Sequence, residues 1–292
     1  MASKRAKDNL ISYALILPAA LILIIFVFRP IVYSLILSLQ KYRLGFNIRN
    51  LIWFENYKTL FLSPDFWKSL GKTFTYSVYM VVISIAAGLF LAVIIAEIKK
   101  AVTLWQIIFF LPVAATMAAM AVVWRFILDD NFGILNILLR ALNYPTSNWL
   151  KDPKTAMGAV IVISIWSNAG YAMIFFMAGL ANIPSSLYQA AALDGTNRVQ
   201  AFRYITWPLL SPTTLFIVII MTKRALSSFD TIKVMTNGGP MNTTQVLSLL
   251  LYQEAFQFFN IGYASAIAII FFLLVLMLAL VQLKFEKRVF YR

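Results

Sequence analysis

Tyr188-Gln-Ala-Ala-Ala-Leu-Asp194-Gly195-Thr-Asn-Arg198, followed by Phe202 and by Trp207-Pro208-Leu-Leu-Ser-Pro212, is the one strongly polar, turn-bearing stretch set between two long apolar runs. Ile183-Pro184-Ser185-Ser186 has the chemistry of a helix start, a proline followed by hydroxyls that can cap free N–H groups. Tyr188 to Leu193 continues that helix. Asp194-Gly195 ends it, because glycine enters positive φ without steric cost. A second short helix from Arg198 to Tyr204 then leads to Pro208. The spacing predicts a helix–turn–helix that offers a compact polar surface to a partner.

Outward from it the chain is apolar. Hydrophobic residues make up 61% of the 292 positions and charged residues 12%, against about 45–50% and about 25% in soluble domains. Six apolar segments approach the roughly 20 residues that a helix needs to cross a hydrocarbon core: Ile11–Leu39, Phe74–Ala96, Leu104–Phe126, Ala156–Leu180, Leu209–Ile232 and Ile261–Leu283. None alternates as a barrel strand would, and backbone groups without water must pair within their own segment, so the reading is an all-α membrane protein with six spans in one domain. The first segment follows Lys4, Arg5 and Lys7. It is too long for a signal peptide's apolar core and has no small-residue cleavage site, so it is expected to stay as an anchor.

The chain has no cysteine and no histidine, which excludes disulfide scaffolds and removes the usual metal ligand and general base. No metal site, catalytic residue or cofactor of its own is expected. The net charge of +14 is scattered between apolar segments rather than gathered in a nucleic-acid-binding patch. Lys and Arg divide evenly between the two sides, but Lys4, Arg5, Lys7, Lys99, Lys100, Lys284, Lys287 and Arg288 crowd the helix ends on one side, which favours both termini inside. Gly71-Lys72-Thr73 imitates the end of a phosphate-binding loop, yet Phe66 stands where the first glycine belongs and no strand precedes it. Asp129-Asp130 reads as a solvated loop. Lys223 and Ser227, one turn apart, form the only pair that an intramembrane hydrolase could use. An ion-coupled secondary transporter would show internal repeats and membrane carboxylates, neither of which stands out.

Within the spans, Pro18, Pro30, Pro112, Pro208 and Pro212 predict breaks or kinks. Gly88, Ala92 and Ala96 predict close helix contact on the second span. The aromatic-rich segment Asn50–Ser69 is expected at the outer membrane interface as an amphipathic helix and loop.

The stretch around Tyr188 also resembles the EAA loop of the membrane-spanning subunits of binding-protein-dependent ABC importers. Ala190, Asp194 and Gly195 match directly, while Gln189 stands in place of the customary glutamate and removes its charge. Met235-Thr236-Asn237-Gly238-Gly239-Pro240 resembles the T-x-GGP segment of the carbohydrate branch, and Leu247–Phe259 with Gly262-Tyr263-Ala264-Ser265-Ala266 reads similarly. The resemblance covers nearly the whole chain. It implies the type I importer permease fold, with a coupling helix at about 183–207 in which Gln189, Ala190, Ala191, Asp194, Gly195 and Arg198 meet an ATPase. It further implies a multi-pass protein of a bacterial inner membrane working with a second, homologous permease, two ATPase subunits that bind ATP and Mg, and an extracytoplasmic solute-binding protein.

In such permeases the substrate site lies near mid-membrane on the spans flanking the loop. The fourth span carries a polar and aromatic cluster, Ser164, Trp166, Ser167, Asn168, Gly170 and Tyr171, of which Ser164, Ser167, Asn168 and Tyr171 suit a sugar ring. Lys223, Arg224 and Ser228 on the fifth fall near the bilayer centre, where a charge costs about 2.5–3.5 kcal/mol. Both cations are therefore expected to face a cavity or a partner permease. The expected cargo is a sugar or oligosaccharide carrying an anionic group, a uronate carboxylate or a phosphate.

Overall fold

The computed structural model describes residues 2–45, 48–98 and 101–290, with side chains at 13–45, 49–98 and 101–285. The charges of Lys99, Lys100 and Arg292, and the side chains of Lys4, Arg5, Lys7, Lys287 and Arg288, lie outside that range. The chain divides into two compact units: residues up to Phe66 with Leu251–Leu273, and Trp67–Leu250 with the residues from Leu274 onward.

The first unit opens with α1 (Ala2–Leu23), a π turn (Ile24–Phe28) and α2 (Arg29–Ser38). The π turn has a local cause. Pro30 has no N–H to give to the carbonyl of Phe26, so the ladder widens by one residue just before it. Pro18, by contrast, sits inside α1 without a break. Then comes an antiparallel hairpin, β1 (Gln40–Arg43) and β2 (Ile48–Leu51), paired Gln40 to Leu51, followed by α3 (Glu55–Leu62). The hairpin was not legible in the sequence. Asn56 anchors it by donating to the carbonyls of Ser38 and Gln40 at 2.7 and 2.9 Å. Gly262 allows the start of the helix Ile261–Phe290 to lie against it, since a Cβ there would fall 2.0 Å from the carbonyl oxygen of Gln40. In the aromatic segment Trp53, Phe54 and Trp67 stay exposed, whereas Phe66 is buried.

The second unit is built around α4 (Pro64–Glu97), most of which belongs to it, with α5 (Val102–Ala114), α6 (Met117–Ile127), α7 (Ile134–Ala141) and α8 (Ala156–Ala181). The polar stretch forms α9 (Ser185–Leu193) and α10 (Arg198–Ala201). A π turn (Phe202–Thr206) and α11 (Trp207–Leu209) lead into α12 (Ser211–Leu226) and α13 (Phe229–Met235). The second π turn again stands two residues before a proline, Pro208. Then come α14 (Leu247–Tyr252), which this unit holds to Leu250, and, in the first unit as far as Leu273, a third π turn (Gln253–Gln257) and the start of α15 (Ile261–Phe290). No proline accounts for the third π turn.

Among the described residues, four helices are long and apolar enough to cross a membrane. Two bent pairs, α5 with α6 at 97° and the Arg198–Leu209 segment with α12 at 64°, bring the total to six if each is one span. The expected third span is thus broken at Ala115–Thr116, just after Pro112, where Thr116 leaves the helix at ψ 140° and its hydroxyl caps α6 by accepting from Ala119 N–H. The core of this unit joins α4, α8 and α12 through Ala92, Ile95, Ala172, Met173, Phe176, Leu210, Ile217 and Met221. Small residues set the spacing. A Cβ on Gly88 would meet the Ala172 Cβ at 2.5 Å, and one on Gly170 would meet the Phe109 carbonyl oxygen at 1.9 Å.

Gly71-Lys72-Thr73 lies inside α4 and serves as a clasp. Lys72 donates to the carbonyl of Asn242, and the Thr73 hydroxyl accepts from Leu247 N–H at 2.8 Å. Both partners belong to the chain around the Gly238-Gly239-Pro240 loop, so the residues that imitate a phosphate loop hold a backbone loop instead.

Candidate functional site: a polar corner and a cationic cavity

The polar stretch folds by two reciprocal backbone devices. Gly195 at φ +71° follows the end of α9; its N–H bonds the Ala192 carbonyl at 3.2 Å and Thr196 N–H bonds Ala191 at 3.0 Å. This is the two-bond Schellman closure, which needs a left-handed residue after the cap. Two residues on, Asn197 and Gln200 form a capping box: the Asn197 side chain accepts from Gln200 N–H and the Gln200 side chain from Asn197 N–H, both at 2.9 Å. The expected hydroxyl cap at the start of α9 is absent, and Pro184 occupies the cap position without a side-chain bond.

The result is a rigid corner with an exposed outer face. Gln189, Ala190, Asp194 and Gly195 are exposed, Ala191 is half-buried, and Leu193 stands 90% exposed at the tip. Arg198 pairs with Glu97 at the end of α4 at 3.0 Å, with the two side chains 88% and 59% exposed. Such a pair contributes at most about 1 kcal/mol, but it fixes which helix end lies beside the corner. Tyr188 OH and the Thr206 hydroxyl, 2.8 Å apart, tie the two arms together.

The residues of the fourth and fifth spans separate into two groups. Ser164 and Ser167 are buried in helix packing: Ser164 accepts from Tyr76 OH at 2.9 Å and donates to the Val160 carbonyl, and Ser167 points at the sulfur of Met117. Neither is among the residues that line the cavity beside Arg224. Lys223 is exposed and away from the cavity, and its link to Ser227 is a backbone bond alone. Asn168, Arg224 and Ser228 do come together. They line a cavity of about 200 Å³ with Tyr76, Met117 and Thr231. The Arg224 Nε donates to Asn168 Oδ1 at 2.6 Å, and the guanidinium lies over the Tyr171 ring at 4.8 Å. Asn168 in turn donates to the Ser164 carbonyl at 2.7 Å, which fixes its amide orientation.

Asp230 lines the same cavity without forming an ion pair with Arg224. The guanidinium is therefore held by a neutral amide and a ring face, its charge unmatched by any carboxylate among the described residues. A hydrogen bond to a charged group contributes about 1.5–3 kcal/mol and a desolvated cation–π contact about 2, enough together to offset the insertion cost of the charge. The Nη hydrogens have no partner among the described residues and remain available. The cavity sits where α6 begins, after the 97° break, and where α12 gives way to α13 at Ser227–Ser228.

Sequence reasoning missed a second polar centre. Asn136, fully buried in α7, donates to the carbonyls of Asp129, Asp130 and Ser147 and accepts from Ser147 N–H and Trp149 Nε1 at 3.2 and 3.0 Å. Asp129-Asp130, read as solvated, is structured. Asp129 accepts from the N–H groups of Asn131 and Phe132, and Asp130 pairs with Lys151 at 2.5 Å. The bond from Lys151 holds the Asp130 carboxyl below the usual carboxylate range, and its reciprocal raises the Lys151 ammonium.

Residues 88–291 match the family model described as the binding-protein-dependent transport system inner membrane component. The chain belongs to this family. The permease is 35% identical to the probable ABC transporter permease YurN of Bacillus subtilis, over 96% of this chain and 97% of that one. It is 31% identical to the trehalose/maltose transport system permease MalF of Thermococcus litoralis, over 95% and 94%. Its fold is that of a chain in a bacterial ABC transporter involved in import of the acidic polysaccharide alginate, with a TM-score of 0.87 over 99% of both chains at 23% identity.

Proposed function

We propose that this permease is one membrane half of an ATP-driven importer for an acidic sugar or oligosaccharide. Cargo passes from an extracytoplasmic binding protein to the cytoplasm, with the chain's termini on the cytoplasmic side. The observation that carries the cargo class is Arg224, held by Asn168 and Tyr171 with no carboxylate, at the rim of a cavity between broken helices. A sugar carboxylate or phosphate meeting its free N–H fork would form the planar, charge-assisted contact that guanidinium suits. The kinship with a trehalose/maltose permease supports a sugar. In this reading Asn168, Tyr171, Arg224 and Ser228 contact cargo, Ser164 and Ser167 position Asn168, and Lys223 takes no part.

The outer face of α9 and its corner, Gln189, Ala190, Asp194, Gly195 and Leu193, would seat on one of two ATPase subunits, with Ala191 and Arg198 holding the corner's shape. ATP and Mg bind those subunits, and a second, homologous permease completes the path. Closure of the ATPases moves the corner, and the breaks at Ala115–Thr116 and Ser227–Ser228 are where the helices can re-angle around cargo.

The test is uptake into proteoliposomes holding the full complex with its binding protein, with acidic and neutral oligosaccharides as cargo. Arg224→Leu should cut uptake of the acidic cargo at least about ten-fold, as loss of a charged hydrogen bond implies, while the subunits still co-purify. Uptake of the acidic cargo unchanged in the variant would refute the acidic reading and reassign Arg224 to the permease–permease interface.

A further inference from the structure

Two cavities open along the same pair of helices. The inner one is the Arg224 cavity, which touches α6 at Met117 and α13 at Thr231. The outer one, about 370 Å³, touches α6 at Arg125 and α13 at Met235. From Met117 to Arg125 is about 12 Å at about 1.5 Å per helical residue, so the two stand in series, away from the α9–α10 corner. At about 200 Å³ the inner cavity is below the roughly 300–1,000 Å³ of most ligand pockets. A chain of several sugar units extends past it, and the space in line is the outer cavity.

The outer cavity has the chemistry to receive a unit. Of its four charged groups, Asp130 and Lys151 neutralise each other and Asp129 is engaged by two backbone N–H groups. Arg125 forms no hydrogen bond or ion pair among the described residues. Asn148 adds an amide, while Leu150 and Pro240 give apolar faces. Free guanidinium, amide and flat apolar wall together suit an acidic pyranose, whose hydroxyl and carboxylate groups need donors and whose ring C–H face needs apolar cover. The wall is also preorganised, because Asn136 fixes the carbonyls of Asp129, Asp130 and Ser147. Resting on the acidic-sugar reading above, we propose that the outer cavity is a second cargo station, in which Arg125 and Asn148 bind one unit of an acidic oligosaccharide while another lies against Arg224.

The test uses the full complex in nanodiscs of zwitterionic lipid, so that no anionic headgroup competes for Arg125. Amide hydrogen exchange is followed at residues 128–131 and 236–240 during titration with galacturonate oligomers of one to four units, with maltotetraose as the neutral control. The tetramer is expected to protect both segments. Arg125→Gln should weaken that protection at least ten-fold in apparent affinity, Asn148→Ala should weaken it in the same direction, and Arg224→Leu should weaken the tetramer's protection more than the monomer's. Absence of protection by any oligomer, protection unchanged in Arg125→Gln, or equal protection by maltotetraose overturns the second station. Protection at the outer segments without uptake of any acidic sugar would instead fail the acidic-cargo reading alone.

Discussion

Gly158 and Gly170 lie on the same helix, α8, and the structure gives them opposite fates on conversion to alanine. Nothing lies within 4 Å of a Cβ built on Gly158, whereas one on Gly170 falls 1.9 Å from the Phe109 carbonyl oxygen and 2.9 Å from its carbon. To reach the roughly 3.3 Å of a close C–H···O contact, α5 must retreat by about 1.4 Å. Both contacting groups are backbone, so no rotamer change relieves the clash and the cost should reach the upper end of the overpacking range, about 3 kcal/mol. Alanine returns about 1 kcal/mol of helix propensity at either site. Gly170→Ala should therefore destabilise by about 2 kcal/mol, and Gly158→Ala should be neutral or stabilise by up to about 1. Unfolding of the full chain in mixed micelles, followed by far-UV circular dichroism, measures both. Equal shifts for the two variants would mean that α5 and α8 do not approach backbone to backbone.

Three further expectations follow from the same geometry. Asn136→Leu strands the N–H of Ser147 and the indole N–H of Trp149; at about 1–3 kcal/mol per buried unsatisfied group it should loosen the α6–α7 corner, read as a red shift and broadening of Trp149 emission. Gly195→Ala forces a Cβ into φ +71° at about 1–2 kcal/mol and should speed hydrogen exchange at Gly195 and Thr196; Gly195→Asn should do so less. Arg198→Ala removes an exposed ion pair and should change stability by less than about 1 kcal/mol, so a larger loss in the unfolding assay would show that Glu97 and Arg198 are shielded in the membrane.

The apolar segments and the polar corner were legible because bilayer thickness and turn chemistry act on contiguous residues. Asp194-Gly195 ends a helix whatever surrounds it. The cavity was half legible. Lys223 and Arg224 are adjacent, so their side chains leave a helix about 100° apart and cannot both enter one cavity, but which one does is set by Asn168, 56 residues away. Ser164 looked like a cargo contact because its partner, Tyr76, is 88 residues distant in sequence. Asn136 gave only a faint signal, a lone amide on a helix otherwise striped with Ile and Leu. The break at Ala115–Thr116 begins three residues after Pro112, and the intervening sequence has no glycine to mark it. The hairpin at Gln40–Leu51 is short and polar, so its two strands carry no alternation to read.

The helix Tyr13–Ser38 has no buried residue in its most apolar window. Packing within its own chain therefore gives almost nothing to hold it in place, and its free energy comes from the solvent it meets, at about 25 cal/mol for each Å² of apolar surface taken out of water. Its stability is a property of the host bilayer or detergent, so exchanging one amphiphile for another should shift this helix while the α4–α8–α12 core goes on unfolding at the same point.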